Sequence, residues 1–513
     1  MPQVRRGLNL VLLASALGRG LGLAQSVMLG SLLSREDFGV YATAIGVQMF
    51  TGALRGGGAW MVLGSIRTED FRTQGRSVFT VGLSVGLLGA ALTLGAALPV
   101  AEAYRIEGLA LVMTILGVQL AAAPFQQFAQ MRVSADLGFS RLSVALLLSS
   151  ILRFVTAIWT AWRGFGAVAL VLPQLLATIF EAALCARIGG MDLGYFRPDL
   201  RNALPSLRRM LPVIPIAVLN SVNLQADYFI GSLFLSTGAL GLYSFAYSIA
   251  SQPYLLLTVA LQRVLVPASA RAMEKPTSRD GYLGSMATTV FFVVPAACIA
   301  LAIIFPLADR LVWGGKWSDA SSLVAVLCIG LSGPVAVGIL VTPLLAERKY
   351  RAVLVSELVR AASVVGGALV GTFGLTSLGV IEGNPSDEAV RLAVGVSAIT
   401  TLTSVLTAVW LLHAAGLRTR PLLEALIIGP VICLMAGYGA WSVSESLDRS
   451  FPILESRAGS LVNLVATGIL YLLMLLCALQ LVPALRSAYV NVAEPGLEGL
   501  KRFAQRLNLP VGD

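Results

Sequence analysis

Apolar runs longer than about 18 residues, the length that crosses a hydrocarbon core of about 30 Å as a helix, recur along this 513-residue chain. Lipid offers backbone amides no hydrogen-bond partners, so only helices or a closed barrel can span it, and continuous runs of this length mean helices. Charged residues make up only 12% of the chain, against roughly 25% in a soluble domain. The expected class is an all-α integral membrane protein with about fourteen transmembrane helices and no soluble domain. The first predicted span runs from Leu8 to Leu33 and the last from Leu461 to Leu481. The basic start "MPQVRR" leads into an apolar run with no small-residue cleavage site, which reads as a retained first helix.

Charge placement sets the orientation. Of the 37 Lys and Arg residues, twenty-five fall on the loops that lie inside if the N-terminus is cytoplasmic, eight fall on the outer loops and four lie within spans. The positive-inside rule then places both termini in the cytoplasm. The net charge of +10 is a topology signal, so no nucleic-acid partner is expected. Cys185, Cys298, Cys328, Cys433 and Cys477 all sit in apolar runs without CxxC spacing, and His413 is the lone histidine. Neither a metal centre nor a cofactor is expected. The GxxxxGK[ST] phosphate loop is missing, which excludes ATP hydrolysis by that route and points to an ion gradient, the membrane potential or substrate flux as the energy source.

One stretch repeats. "LSREDFGVYATA", Leu33 to Ala44, returns 202 residues later as "LSTGALGLYSFA", Leu235 to Ala246, with Leu, Ser, Gly, Tyr and the final Ala in register. Each copy occupies an outer loop, between spans 1 and 2 and between spans 7 and 8. Six spans separate them, so the two halves share one orientation in the membrane. Such parallel repeats occur in transporters whose substrate path lies between the halves.

Three segments resemble the bacterial polysaccharide biosynthesis, or oligosaccharide flippase, family (Wzx-type) of the multidrug/oligosaccharidyl-lipid/polysaccharide exporter superfamily. They are "LLSREDFGVYATA", the run from Leu224 to Ala270 with its Asp, Gly-x-Tyr turn and later Pro, and "ADRLVWGGKWSDA" from Ala308 to Ala320. The resemblance implies two parallel six-helix lobes around a central cavity, residues 1–190 and 207–415, joined by a cytoplasmic linker at 191–206. Two further helices at 416–485 and a cytoplasmic tail at 486–513 would follow. It also implies a transporter, not an enzyme, that moves a lipid-linked oligosaccharide on undecaprenyl diphosphate by alternating access. That activity would serve exopolysaccharide, capsule or O-antigen synthesis, with membrane lipids, H⁺ or Na⁺ and the polysaccharide polymerase or export machinery as partners. The alternative within the superfamily is a cation-coupled multidrug or small-molecule exporter. A glycan polymerase or ligase would be expected to carry large outer loops, and these are short.

Charges within spans are costly and usually face a cavity or a partner. Gln48, Thr51 and Arg55 are predicted to share one face of span 2, ahead of Gly56, Gly57 and Gly58. Ser15, Arg19, Gly22 and Ser26 are predicted to share one face of span 1. Two polar stripes, each with an arginine, fit a wet cationic cavity, although arginines that lock helices together would produce the same pattern. A guanidinium fork matches phosphate oxygens and stays charged at any working pH, and the resemblance carries a substrate role onto Arg19 and Arg55.

Span 7 aligns Asn220, Asn223 and Asp227, with Asp227 suited either to an inter-lobe ion pair or to H⁺ or Na⁺ coupling. On span 8, Ser244, Tyr247, Ser251, Thr258 and Gln262 suit sugar hydroxyls or an ordinary helix interface. Gln119, Gln126 and Gln130 on span 4 are candidates to line the same path. Arg153 and Glu181 fall at different predicted depths, which argues against a direct pair, while Glu357 and Arg360 neutralise each other at i, i+3. The Arg-rich loop from Arg187 to Arg209 is explained by orientation alone, and it also suits anionic lipid heads or an incoming diphosphate.

Overall fold

The structure is a computed structural model that describes residues 2–52, 54–55, 59–64, 66, 68–136, 138–211, 214–253, 276–346, 350–374, 385–414, 419–450 and 457–481. Every regular element among them is helical. Eight helices among the described residues, including Gln74–Tyr104, Leu109–Ala135, Val168–Ile188 and Thr289–Trp313, are long and apolar enough to cross a membrane. The count of fourteen spans extends beyond these eight and stands as a proposal. Gly56, Gly57, Gly58, Thr258, Gln262, the side chain of Ser15 and the tail 486–513 lie outside the described residues.

The chain forms two compact units, Met1–Phe245 with Val364–Leu392 and Ala246–Ser363 with Ala393–Asp513. In the first, helices α1 (Pro2–Leu32), α2 (Arg35–Gly52), α4 (Gln74–Tyr104), α5 (Leu109–Ala135), α6 (Phe139–Trp162), α7 (Val168–Ile188) and α9 (Ile214–Phe234) pack as neighbours. The short α3 (Ala59–Leu63) and α8 (Ala203–Met210) lie at one end of α4. Glycines permit the closest approaches: a Cβ on Gly46 of α2 would stand 2.7 Å from Phe229 N on α9, and one on Gly86 of α4 would stand 2.7 Å from Pro124 Cγ on α5. Helix α9 belongs with α2 in the first unit, and the expected lobe bounds 1–190 and 207–415 stand as a proposal.

The second unit has its core where α11 (Pro276–Ala308) meets α15 (Thr419–Ser450) and α16 (Arg457–Leu481). Phe292, Ile299, Cys433, Ala440 and Tyr471 are buried together there. Its polar anchors are Arg310, paired with Asp448 at 2.7 Å, and Asn463, which donates to Asp448 at 2.6 Å. Helices α12 (Ala320–Ala346), α13 (Tyr350–Leu369) and α14 (Pro385–Ala414) complete the described set with α10 (Thr237–Ala250).

The repeated serine is a helix cap in both copies. Ser34 N and Oγ both donate to Asp37 Oδ2 at 2.9 Å while Asp37 N donates back to Ser34 Oγ at 3.1 Å, a reciprocal capping box at the start of α2. Ser236 Oγ accepts from Ala239 N at 3.3 Å at the start of α10. Position 239 has no carboxylate, and Glu388 of α14 takes that part, accepting from Ser236 N at 3.1 Å and Oγ at 3.2 Å. The charges that interrupt the apolar sequence at 35–37 thus open a helix, where acidic side chains also complement the helix dipole.

The second predicted span, a single apolar run from Val40 to Gly64, is divided. Helix α2 ends at Gly52, and the chain tightens into i to i+3 turns in which Leu54 N donates to Thr51 O at 2.9 Å and Arg55 N to Gly52 O at 3.0 Å. Glycine costs more backbone entropy in a helix than any other non-proline residue, and Gly52 marks where this one stops. Arg55 therefore does not continue the helical stripe of Gln48 and Thr51.

Candidate substrate cavity

A polar cavity of about 300 Å³ opens within the first unit, lined by Arg55, Gln119, Gln126, Ser149, Ser150, Arg153, Gln174, Thr178 and Glu181 among others. Arg55 reaches it from the turn after α2, where Gln127 of α5 donates to its carbonyl at 3.3 Å. Arg153 comes from α6, which packs against α1, and its guanidinium lies beside Gly22 of α1, where a Cβ would stand in ordinary contact 3.8 Å from Arg153 Nη2. Gly18, one turn earlier, similarly faces Ser150, with 3.4 Å from its Cβ position to Ser150 Oγ.

Glu181 is buried on α7. Its carboxylate accepts from Gln126 Nε2 at 3.0 Å, from Gln130 Nε2 and from Ser149 Oγ at 3.3 Å. Burying a carboxylate is tolerable only when its oxygens are satisfied, and here neutral amides and a hydroxyl do so. Arg153 is close enough to Glu181 to interact through space, yet among the described residues its Nε is buried with no hydrogen-bond partner. With Arg55 also lining the wall, the cavity holds one positive charge in excess and a guanidinium donor with nothing to bind. An anion with several oxygens satisfies both conditions.

The structure brings only part of the expected set to this cavity. Arg55 lines it together with Gln119 and Gln126, and Gln130 joins through Glu181. Gln48 is buried on α2, and Thr51 shares a 2.8 Å hydrogen bond with Thr93 of α4, which is a helix-to-helix contact. Arg19 is half-buried on α1, and Ser26 Oγ donates to Gly22 O at 3.2 Å.

On α9, Asn220 is exposed and Asn223 buried. Asp227 is buried, accepting from Tyr243 OH at 2.7 Å and from Tyr228 N at 2.9 Å. Tyr247 and Ser251 are half-buried, with Ser251 Oγ donating to Ser248 O at 3.1 Å. Arg153 and Glu181, which depth estimates separate, share the cavity without a direct ion pair between them among the described residues. A sequence signal for Glu181 does exist in the spacing of Gln126 and Gln130. At i, i+4 on α5 their amides share one face, and both donate to this single acceptor.

Comparison with known proteins gives this geometry its context. The polysaccharide biosynthesis protein family matches the chain over residues 28–322. The succinoglycan biosynthesis transport protein ExoT of Rhizobium meliloti (strain 1021) is 24% identical over 472 residues, 88% of this chain and 90% of that protein. The lipopolysaccharide biosynthesis protein WzxC of Escherichia coli (strain K12) is 20% identical over 369 residues, 70% of this chain and 74% of its own length. Among solved structures, the lipid II flippase MurJ in an inward closed conformation superposes with a TM-score of 0.69 at 15% identity, covering 92% of this chain and 99% of that one. An inward-facing multidrug resistance MATE family transporter of the MOP superfamily gives 0.54 at 15% identity, covering 78% and 94%. The fold is thus that of the MOP transporters.

Proposed function

The chain belongs to the polysaccharide biosynthesis protein family, and from that premise we propose that it is a flippase for a lipid-linked oligosaccharide carried on undecaprenyl diphosphate. It works by alternating access in the bacterial cytoplasmic membrane, with both termini on the cytoplasmic side. Arg55 and Arg153 receive the diphosphate. The observation that carries this reading is that both arginines line one cavity while its carboxylate, Glu181, is held by Gln126, Gln130 and Ser149.

A diphosphate presents several charged oxygens close together, and a guanidinium offers donors in a fixed fork that can engage two of them at once. Thr178, Gln119 and Gln174 on the remaining wall supply hydroxyl and amide partners for the first sugar. Arg19 and Asn223 are further substrate contacts, and Asp227 serves either inter-lobe pairing or H⁺ or Na⁺ coupling. The polysaccharide polymerase or export machinery takes the flipped product. A multidrug exporter for cationic compounds would need the opposite charge at this wall.

The test is reconstitution of the full chain in proteoliposomes with a fluorescent undecaprenyl-diphosphate oligosaccharide. Protein-dependent exchange between leaflets, competed by unlabelled lipid-linked diphosphate and not by cationic drugs, is expected. Exchange equal to protein-free vesicles, or export of the drugs instead, would sink the reading.

A further inference from the structure

The segment before α9, residues 191–211, has two faces of opposite character. One is locked down: Tyr195, Phe196, Ala203, Leu207 and Met210 pack into the cluster formed by Phe71, Phe79 and Phe128 at one end of α4 and α5. Ser206 Oγ and Ser77 Oγ lie 2.7 Å apart, Thr80 Oγ1 accepts from Asp199 N at 2.7 Å, and Arg76 Nε donates to Arg197 O at 3.1 Å. The other face shows four leucines to the outside, with Leu193 85%, Leu200 76%, Leu204 60% and Leu211 55% exposed. Leu204, Arg208 and Leu211 fall at i, i+4 and i+7, the same side of α8 and its continuation.

Leucines held outward by a segment anchored on its other face leave apolar surface uncovered. Arg201 and Arg208, both exposed, stand beside these leucines. The acidic groups of the segment are engaged elsewhere, Asp192 by Arg72 at 3.4 Å and Asp199 by Asn202 Nδ2 at 3.0 Å. Asn202 holds the Asp199 carboxyl below the usual carboxylate range. Apolar side chains flanked by arginine, at the end of helices that must stand in lipid, match the interfacial zone of a leaflet in both polarity and charge.

We propose that residues 191–211 form an interfacial platform whose leucines enter the headgroup boundary of the adjoining leaflet while Arg201 and Arg208 bind acidic phospholipid headgroups. Arginine stems reach along apolar surface and keep the guanidinium at phosphate level. The connection into α9 is thereby fixed to the leaflet as well as to α4. Nothing in this depends on which substrate the cavity takes.

Single-cysteine labelling of the full-length protein tests it, in a Cys477→Ser background because the other four cysteines are buried. An environment-sensitive fluorophore is placed at Leu204→Cys, and at Glu69→Cys, exposed in the turn before α4, as an aqueous reference. The protein is reconstituted in phosphatidylglycerol-containing or pure phosphatidylcholine vesicles with shallow nitroxide lipids. The label at 204 is expected to be quenched by nitroxide lipid and shielded from iodide, whereas the label at 69 shows the reverse. Nitroxide phosphatidylglycerol should quench it more than nitroxide phosphatidylcholine, and that preference should fall about fivefold per arginine in Arg201→Gln and Arg208→Gln. Iodide quenching at 204 equal to that at 69 would overturn the platform and point to a soluble protein partner. Equal quenching by the two nitroxide lipids would overturn the acidic-headgroup assignment. Because Leu204, Arg201 and Arg208 are exposed, these variants leave the anchoring cluster intact, and a retained size-exclusion profile verifies it.

Discussion

Gly39 and Gly241, the matched glycines of the internal repeat, lie against each other's helix starts. A Cβ on Gly241 would come within 2.8 Å of Gly39 N and collide with the carbonyl of Arg35, and one on Gly39 would collide with the carbonyl of Thr237. The two copies therefore cross at their own signature, and Phe38 and Phe245 close the crossing edge-to-face at 5.5 Å between ring centroids. Gly39→Ala or Gly241→Ala forces backbone apart and is expected to cost roughly 1–3 kcal/mol, the usual penalty of overpacking a filled interface. Thermal unfolding in detergent measures it; unchanged melting in both variants would contradict the close crossing.

The two caps differ in where their carboxylate comes from, and that difference is measurable. Ser34→Ala and Asp37→Ala should each cost about 0.5–2 kcal/mol, with strong non-additivity in the double variant because they form one reciprocal box. Ser236→Ala and Glu388→Ala should behave as the same kind of pair although 152 residues separate them. Additive costs in the second pair would show that Glu388 does not complete that cap.

At Asp227 the hydroxyl of Tyr243 is a direct partner. Tyr243→Phe leaves the buried carboxylate one donor short and is expected to destabilise by about 1–3 kcal/mol. If Asp227 couples an ion, Asp227→Asn makes lipid exchange independent of an imposed H⁺ or Na⁺ gradient, while Tyr243→Phe keeps the gradient dependence. Loss of gradient dependence in neither variant assigns Asp227 to pairing alone.

Much of this is legible in the sequence, for reasons that are local. Helix class follows from run length, and the repeat is visible because serine is among the few residues that cap a helix N-terminus well and a close helix crossing needs a glycine. Those demands act at single positions. What the repeat does not show is that its two glycines meet, since that is a contact across 202 residues.

Periodicity sets Arg55 on a helical stripe with Gln48 and Thr51, yet α2 ends at Gly52 and the arginine enters the cavity from a turn. Depth estimates separate Arg153 from Glu181 because they treat every span as upright and equally long. Packing of α5, α6 and α7 decides their proximity instead. Gly22 is legible as sharing a face with Arg19, but that it stands beside the Arg153 guanidinium is not.

Glu181 provides a charge test of the cavity. In Glu181→Gln the amide must face the donors of Gln126 and Gln130 with a donor of its own, so stability should fall by roughly 1–3 kcal/mol. Removing the negative charge leaves the arginines less opposed, so affinity for a lipid-linked diphosphate should hold or rise. Weaker binding in a folded Glu181→Gln protein would mean that the carboxylate itself contacts the ligand.

The central claim is that Arg55 and Arg153 bind the diphosphate. The most direct measurement is the affinity of purified Arg153→Gln and Arg55→Gln for a short-chain lipid-linked diphosphate sugar, compared with wild type by calorimetry alongside melting temperature. A charge-assisted hydrogen bond contributes roughly 1.5–3 kcal/mol, so each variant should bind about tenfold or more weakly while melting normally. Wild-type affinity in both variants would contradict the account.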